Sequence, residues 1–121
     1  MYTITKRYHF SASHQLDHLP EEHPCSRLHG HNYQVEIVLK SETLNQQAFV
    51  RDYGELKPFQ RYLEETLDHR HLNDVLPCVP TAENLAKWLF DWAKKRWNCV
   101  VAVKVSDTPK TWAIYSEAIF S

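Results

Sequence analysis

No basic surplus marks this sequence: its formal net charge is −1, and acidic and basic residues are interspersed along it. That argues against a nucleic-acid-binding surface, which shows as a clustered basic excess. The opening Met1-Tyr2-Thr3-Ile4-Thr5-Lys6-Arg7 holds no apolar run of leader length, and no later stretch is long enough to span a bilayer. Cysteine is scarce and lacks paired spacing. Cys25, Cys78 and Cys99 form an odd set that fits a reducing, cytoplasmic setting better than a disulfide framework. Repeats, low-complexity runs and linkers are also missing, so residues 1–121 read as a single domain. A domain of this size buries only part of its surface, and self-association is expected to help it. Glycine, at two residues, is nearly absent, whereas histidine is plentiful at eight. The chemistry is to be sought among the histidines.

Hydrophobic periodicity outlines the fold. From Tyr2 to Ala12 the larger apolar residues occupy even positions, and from Tyr33 to Leu39 they occupy odd ones. Both alternations predict strands with one buried face, joined as an antiparallel hairpin across a long loop containing Pro20 and Pro24. Asp52 opens a predicted helix with Glu55 in capping-box register and an apolar stripe of Leu56, Phe59, Leu63 and Leu67. Pro58 either kinks its first turn or delays its start. Thr81 is the predicted N-cap of a second helix, whose apolar face carries Leu85, Trp88, Leu89 and Trp92. Two further strands, Val100 to Ser106 and Thr111 to Phe120, flank a turn that holds Asp107, Thr108, Pro109 and Lys110. The order β-β-α-α-β-β predicts an α+β fold with a four-stranded antiparallel sheet. Such a sheet leaves two open edges that invite pairing with neighbouring subunits.

Parity also sorts the histidines. His14 continues the even face of the first strand, and His29 and His31 continue the odd face of the second. All three should therefore face one interior from adjacent strands, with Gly30 leaving room for close approach. Three neutral imidazoles suit a zinc ion and leave its fourth position open for water or substrate. His9 has the wrong parity and reads as exposed; His71 stays outside the set, and His18 and His23 read as solvated loop residues. Ordinary half-buried histidines are the alternative.

Cys25 lies four residues before His29, and a thiol near a cation ionises readily. Asp68 and His69, just past the first helix, offer a carboxylate and an imidazole that could activate it. From the residues alone, Cys25 is equally a fourth zinc ligand or an inert buried thiol. Cys78 and Cys99 read as structural.

Phe10-Ser11-Ala12-Ser13-His14, the run from Cys25 to Tyr33 with its His29-Gly30-His31, and Leu67-Asp68-His69 resemble the 6-pyruvoyltetrahydropterin synthase superfamily. So do Pro80-Thr81-Ala82-Glu83-Asn84 and the run Val103 to Thr108, in the right order through nearly the whole chain. The Cys-x-x-x-His-Gly-His spacing is most similar to the bacterial 6-carboxytetrahydropterin synthases of queuosine biosynthesis. Animal pyruvoyl enzymes carry a longer insert there, and a branch that replaces dihydroneopterin aldolase carries a glutamate nearby. The resemblance implies a tunnelling fold whose subunits join their sheets into a barrel, as a trimer or hexamer, with active sites between subunits. It implies Zn2+ on His14, His29 and His31, Cys25 as the catalytic thiol, and Asp68 and His69 as its partners. It further implies a pterin triphosphate substrate, anchored where the family has a glutamate and this chain has Asp107. Thr81 and Glu83 would assist binding, and Arg27 is a candidate triphosphate contact.

The implied reaction is lyase chemistry: 7,8-dihydroneopterin triphosphate to 6-carboxytetrahydropterin, with release of acetaldehyde and triphosphate. Synthesis of 6-pyruvoyltetrahydropterin is the near alternative. A metal-independent thiol hydrolase using Cys25, His69 and Asp68, or a non-enzymatic zinc module, would be alternatives of another class.

Overall fold

The computed structural model describes residues 1–117, so the part of the predicted last strand that runs to Phe120 lies outside it. Two long strands dominate, β1 (Tyr2–His14) and β2 (His29–Ser41), and they pair antiparallel along their whole length. Their alternation was readable because one face of each is apolar and packs on helices. Tyr8, Phe10, Ala12, Tyr33, Val35, Ile37 and Leu39 form the share of the core that comes from this hairpin. Helix α1 (Lys57–Thr66) and helix α3 (Ala82–Arg96) cover that face with Phe59 and Leu63, and with Leu85, Leu89 and Phe90. Strand β4 (Val100–Thr108) adds to β2, and β5 (Thr111–Ser116) adds to β4, both antiparallel.

Among the described residues the sheet has five strands, not the four expected: with Arg70–His71 as β3, the order is β3-β1-β2-β4-β5. The additional β3 is only Arg70–His71, and it runs parallel to β1 beside Ala12 and Ser13. Two residues carry no periodicity to detect. A single helical turn, α2 (Leu72–Val75), follows directly and was hidden for the same reason.

Helix entry also differs from expectation. Asp52 caps a short 3-10 turn, Tyr53–Leu56, by accepting the Gly54 N–H at 2.8 Å. The α-helix proper begins at Lys57, which places Pro58 in the first turn, where a missing N–H costs nothing. Glu55 pairs with Arg51 at 2.7 Å in place of the predicted capping box. Thr81 does cap α3, its hydroxyl accepting the Asn84 N–H at 3.2 Å. Asp107 belongs to β4, not to the turn, which holds only Pro109 and Lys110. The pairing of β4 with β5 is irregular between Val105 and Thr108, so the strand continues past the point where simple alternation suggested a turn.

Two buried side-chain polar atoms, the Tyr8 hydroxyl and Arg51 Nε, are left without a hydrogen-bond partner among the described residues. The Tyr8 hydroxyl is buried beside the core, and burial pushes its phenol up to about 12. An unsatisfied buried hydroxyl costs about 1–3 kcal/mol. Tyr8→Phe keeps the ring that meets Phe59 edge-on at 5.3 Å. The variant is expected to match or exceed the parent in stability, read as the denaturant midpoint at unchanged slope. A loss above about 1 kcal/mol would reveal an ordered partner for the hydroxyl.

Candidate metal centre and active site

The hairpin register builds the centre. His14 pairs directly with His29 across the two strands, and Ala12 pairs with His31. The three imidazoles therefore emerge on one face, in line with Phe10 and Tyr33, which stack at 5.0 Å. Their ligand nitrogens lie within 4.8 Å of one another, and among the described residues this is the one such cluster able to hold a metal ion. His14 is only 2% exposed, while His29 and His31 are half-buried.

Backbone carbonyls set the tautomers. His14 Nδ1 lies 2.8 Å from the Pro80 carbonyl oxygen, and His29 Nδ1 lies 2.6 Å from that of Arg27. A carbonyl only accepts, so each Nδ1 carries the proton and each Nε2 presents a lone pair. Those two Nε2 atoms face each other at 2.9 Å. Two lone pairs at that range repel unless a cation lies between them. Tetrahedral coordination at about 2.0–2.1 Å would set them about 3.4 Å apart, so a small adjustment accommodates zinc. The residues fit the ion.

Electrostatics favour the metal-binding form. Burial foremost holds His14 below the ordinary histidine value, and His29 and His31 lower it further against the raising effects of Pro80 and Asp107. His31 is lowered by burial as well, with Asp107 opposing and His29 reinforcing. Neutral imidazole is the ligand form. Asp107 is thus close enough to be felt by two of the three histidines, and it also helps burial to raise the Tyr33 phenol.

A cavity of about 470 Å³ opens beside His14. Cys25, Thr81, Glu83, Val105 and Asp107 line it, together with Trp112 and the histidines of the loop, His18 and His23. Cys25 is half-buried with a free thiol and stands outside the metal cluster. Thr81 presents its side chain to the helix cap, and Glu83 is exposed in the first turn of α3. The Arg27 side chain is exposed, but its carbonyl orients His29, a role that only the structure reveals. His23 is exposed as expected, yet its ring caps the turn of Cys25, which the sequence did not suggest. A Cβ at Gly30 would meet nothing nearer than the Ala12 carbonyl at 3.7 Å, an ordinary contact, so close approach does not require glycine there. Cys78 is exposed and Cys99 half-buried.

Asp68 and His69 lie elsewhere. They follow α1 at the β3 edge, where His69 lines a different cavity with Ser13, Gly30, His31 and His71. Asp68 accepts the Ser11 N–H at 2.9 Å, which, ahead of its contacts with His69, holds the carboxyl below its usual range. His69 donates its own N–H to the Ser11 carbonyl at 2.6 Å and takes a left-handed φ of 59°. Its Nδ1 sits 3.0 Å from Asp68, while its side chain is 82% exposed. One chain does not bring His69 to Cys25.

Comparison with known proteins gives a consistent result. The model of the family described as 6-pyruvoyl tetrahydropterin synthase matches residues 3–118. A 6-carboxy-5,6,7,8-tetrahydropterin synthase of Synechocystis is 36% identical over 96 residues, covering 74% of this chain and 73% of that protein. Its counterpart in Aquifex aeolicus is 30% identical, covering 77% and 79%. A dihydroneopterin monophosphate aldolase of Pyrococcus furiosus is 32% identical, covering 71% and 73%. Among solved structures, the 6-pyruvoyl tetrahydropterin synthase of Caenorhabditis elegans superposes with a TM-score of 0.85 at 27% identity, over 97% of this chain and 96% of that one.

The converging lone pairs give a direct test. Purified protein should hold about one divalent metal ion per chain by elemental analysis. The double variant His29→Ala, His31→Ala should hold almost none, and full occupancy in that variant would rule this centre out.

Proposed function

The chain belongs to the 6-pyruvoyl tetrahydropterin synthase family, and on that premise we propose that it is a zinc-dependent lyase converting 7,8-dihydroneopterin triphosphate to 6-carboxytetrahydropterin. Acetaldehyde and triphosphate are released, and the product feeds queuosine biosynthesis in the cytoplasm. The observation that carries this reading is the shared cavity: a histidine of the three-histidine cluster, a free thiol and a carboxylate, His14, Cys25 and Asp107, line one space. Its volume of about 470 Å³ falls in the usual range for a small-molecule site. The names of the Synechocystis and Aquifex relatives support the carboxy product, and the Cys-x-x-x-His-Gly-His spacing agrees with them.

His14, His29 and His31 would hold the zinc, which when bound supplies Lewis acidity toward side-chain oxygens of the substrate. The remaining work falls to the chain's own groups. Asp107 accepts paired hydrogen bonds from the amino group and adjacent ring N–H of the pterin, with Thr81 and Glu83 close by. Cys25 moves a proton at a side-chain carbon. Asp68 fixes His69, and the exposed imidazole reaches the Cys25 of a neighbouring subunit. The functional unit is therefore a homo-oligomer, a trimer or a hexamer built from trimers. A thiol hydrolase within one chain is not favoured, because Cys25 and His69 line different cavities. Arg27, exposed and joined through its carbonyl to His29, is a triphosphate contact on this reading.

Incubation of the zinc-loaded protein with 7,8-dihydroneopterin triphosphate, followed by mass analysis, should yield 6-carboxytetrahydropterin; a pyruvoyl product would shift the assignment to the sister activity. Cys25→Ala should keep its zinc and lose about 10²–10⁴-fold in turnover, the usual worth of general acid–base help. Loss of zinc in that variant would instead make Cys25 a ligand. Asp107→Asn should cost about 2–5 kcal/mol in binding or turnover at unchanged zinc content, as expected for a buried charged pair broken on one side. Asp107→Glu should retain far more activity than Asp107→Asn.

A further inference from the structure

The turn that carries Cys25 has an unusual cap. Pro24–Ser26 is one turn of 3-10 helix, and its N-cap is His23, whose Nδ1 accepts the Cys25 N–H at 3.1 Å. Ser, Thr, Asp and Asn normally fill that position, because their side-chain oxygens accept the orphan N–H groups of the first turn. Histidine can do the same only with Nδ1 unprotonated and the proton on Nε2. Pro24 has no N–H of its own, so the Cys25 N–H is the first donor the turn presents. His23 meets that donor.

Other bonds close the turn around the same residue. Ser26 Oγ donates to the His23 carbonyl at 2.7 Å and to the Glu21 carbonyl at 3.0 Å. The Leu16 N–H, just beyond the end of β1 and two residues from His14, donates to the Cys25 carbonyl at 3.1 Å. The Cys25 backbone is thus fastened on one side to the strand that carries a metal-cluster histidine. On the other side, among the described residues, its N–H is held by the imidazole of His23. Both residues line the cavity that holds His14 and Asp107.

We infer that His23 is a positioning residue for Cys25: its imidazole fixes the turn that holds the thiol in the cavity shared with His14 and Asp107. The inference rests on the reading of Cys25 as the proton-transferring group. Small displacements of a reacting group are costly, with about 1 Å able to remove about 10²-fold in rate.

The test compares the parent with His23→Ala, His23→Asn and Ser26→Ala, all as zinc-loaded full-length protein. Two readouts are taken: kcat and KM for 7,8-dihydroneopterin triphosphate, and the rate at which iodoacetamide alkylates Cys25, located by peptide mass. His23→Ala is expected to lower kcat roughly tenfold or more with KM and zinc content little changed, and to change the alkylation rate several-fold. Asn accepts the same N–H, so His23→Asn should restore both readouts to within about threefold of the parent. Ser26→Ala, which loosens the turn without touching the imidazole, should move both in the direction of His23→Ala. A raised KM in His23→Ala that Asn fails to rescue would show the ring contacting substrate, and would overturn the inference. So would unchanged kcat and alkylation in His23→Ala, or a silent Ser26→Ala beside an impaired His23→Ala. If the parent turns over no pterin, the functional reading fails, while the alkylation series still decides whether His23 holds Cys25.

Discussion

Everything at this site depends on one register, the antiparallel pairing of β1 with β2. Side chains alternate faces with a period of two, so a slip of one residue would carry His29 and His31 to the opposite face from His14. The apolar residues hold that register. Phe10 lies opposite Tyr33 and Tyr8 opposite Val35, all buried against the helices. The metal cluster is thus a continuation of the hydrophobic core by two further pairs, reached where the strands run out. The same burial that excludes water from Phe10 and Tyr33 favours neutral imidazoles at His14 and His31, further along the same strands.

Register delivers the rings, but carbonyls aim them. Pro80, just before α3, fixes His14 from outside the hairpin, and Arg27 fixes His29 from the loop that leads into β2. Each ring is thereby committed to one tautomer before any ion arrives. Mutual proximity of three imidazoles is tolerable only while they are uncharged, and Asp107 nearby supplies a negative field. A centre with converging lone pairs and a neighbouring carboxylate is built for a cation.

The sequence was most legible where periodicity was long. Thirteen-residue strands and a fifteen-residue helix state their buried faces repeatedly, and the three histidines could be placed on one face by parity alone. Short elements defeated the same method. Arg70 and His71 form a strand only because β1 offers an edge to them, and Tyr53–Leu56 forms a 3-10 turn because Pro58 delays the helix. Asp107 was assigned to a turn on residue type, whereas the irregular pairing of β4 with β5 keeps it in the strand. Backbone roles left no trace at all. Nothing in the identity of Arg27 or Pro80 announces that their carbonyls orient histidines, because any residue carries a carbonyl.

The division of labour between rigid and local structure explains why one chain looks unfinished. Metal ligands sit on paired strands, which hold them with little freedom. The thiol sits on a single turn fastened by a few bonds. Asp68 and His69 sit at the far edge of the sheet, and the way they are held is costly. A left-handed backbone at a non-glycine residue is unfavourable by about 1–2 kcal/mol, offset here by two hydrogen bonds to the Ser11 backbone. What that arrangement secures is an imidazole with Nδ1 held against Asp68 and its other nitrogen directed outward. A ring so firmly anchored and so fully exposed contributes nothing to the core of its own chain. Its geometry makes sense as a group presented across an interface, and β3 covers β1 only beside Ala12 and Ser13, so the earlier part of that strand is an edge to which a second sheet could join. On the proposed assembly the neighbour's imidazole would complete the cavity that already holds Cys25, which is why the proposed chemistry requires more than one copy of the chain.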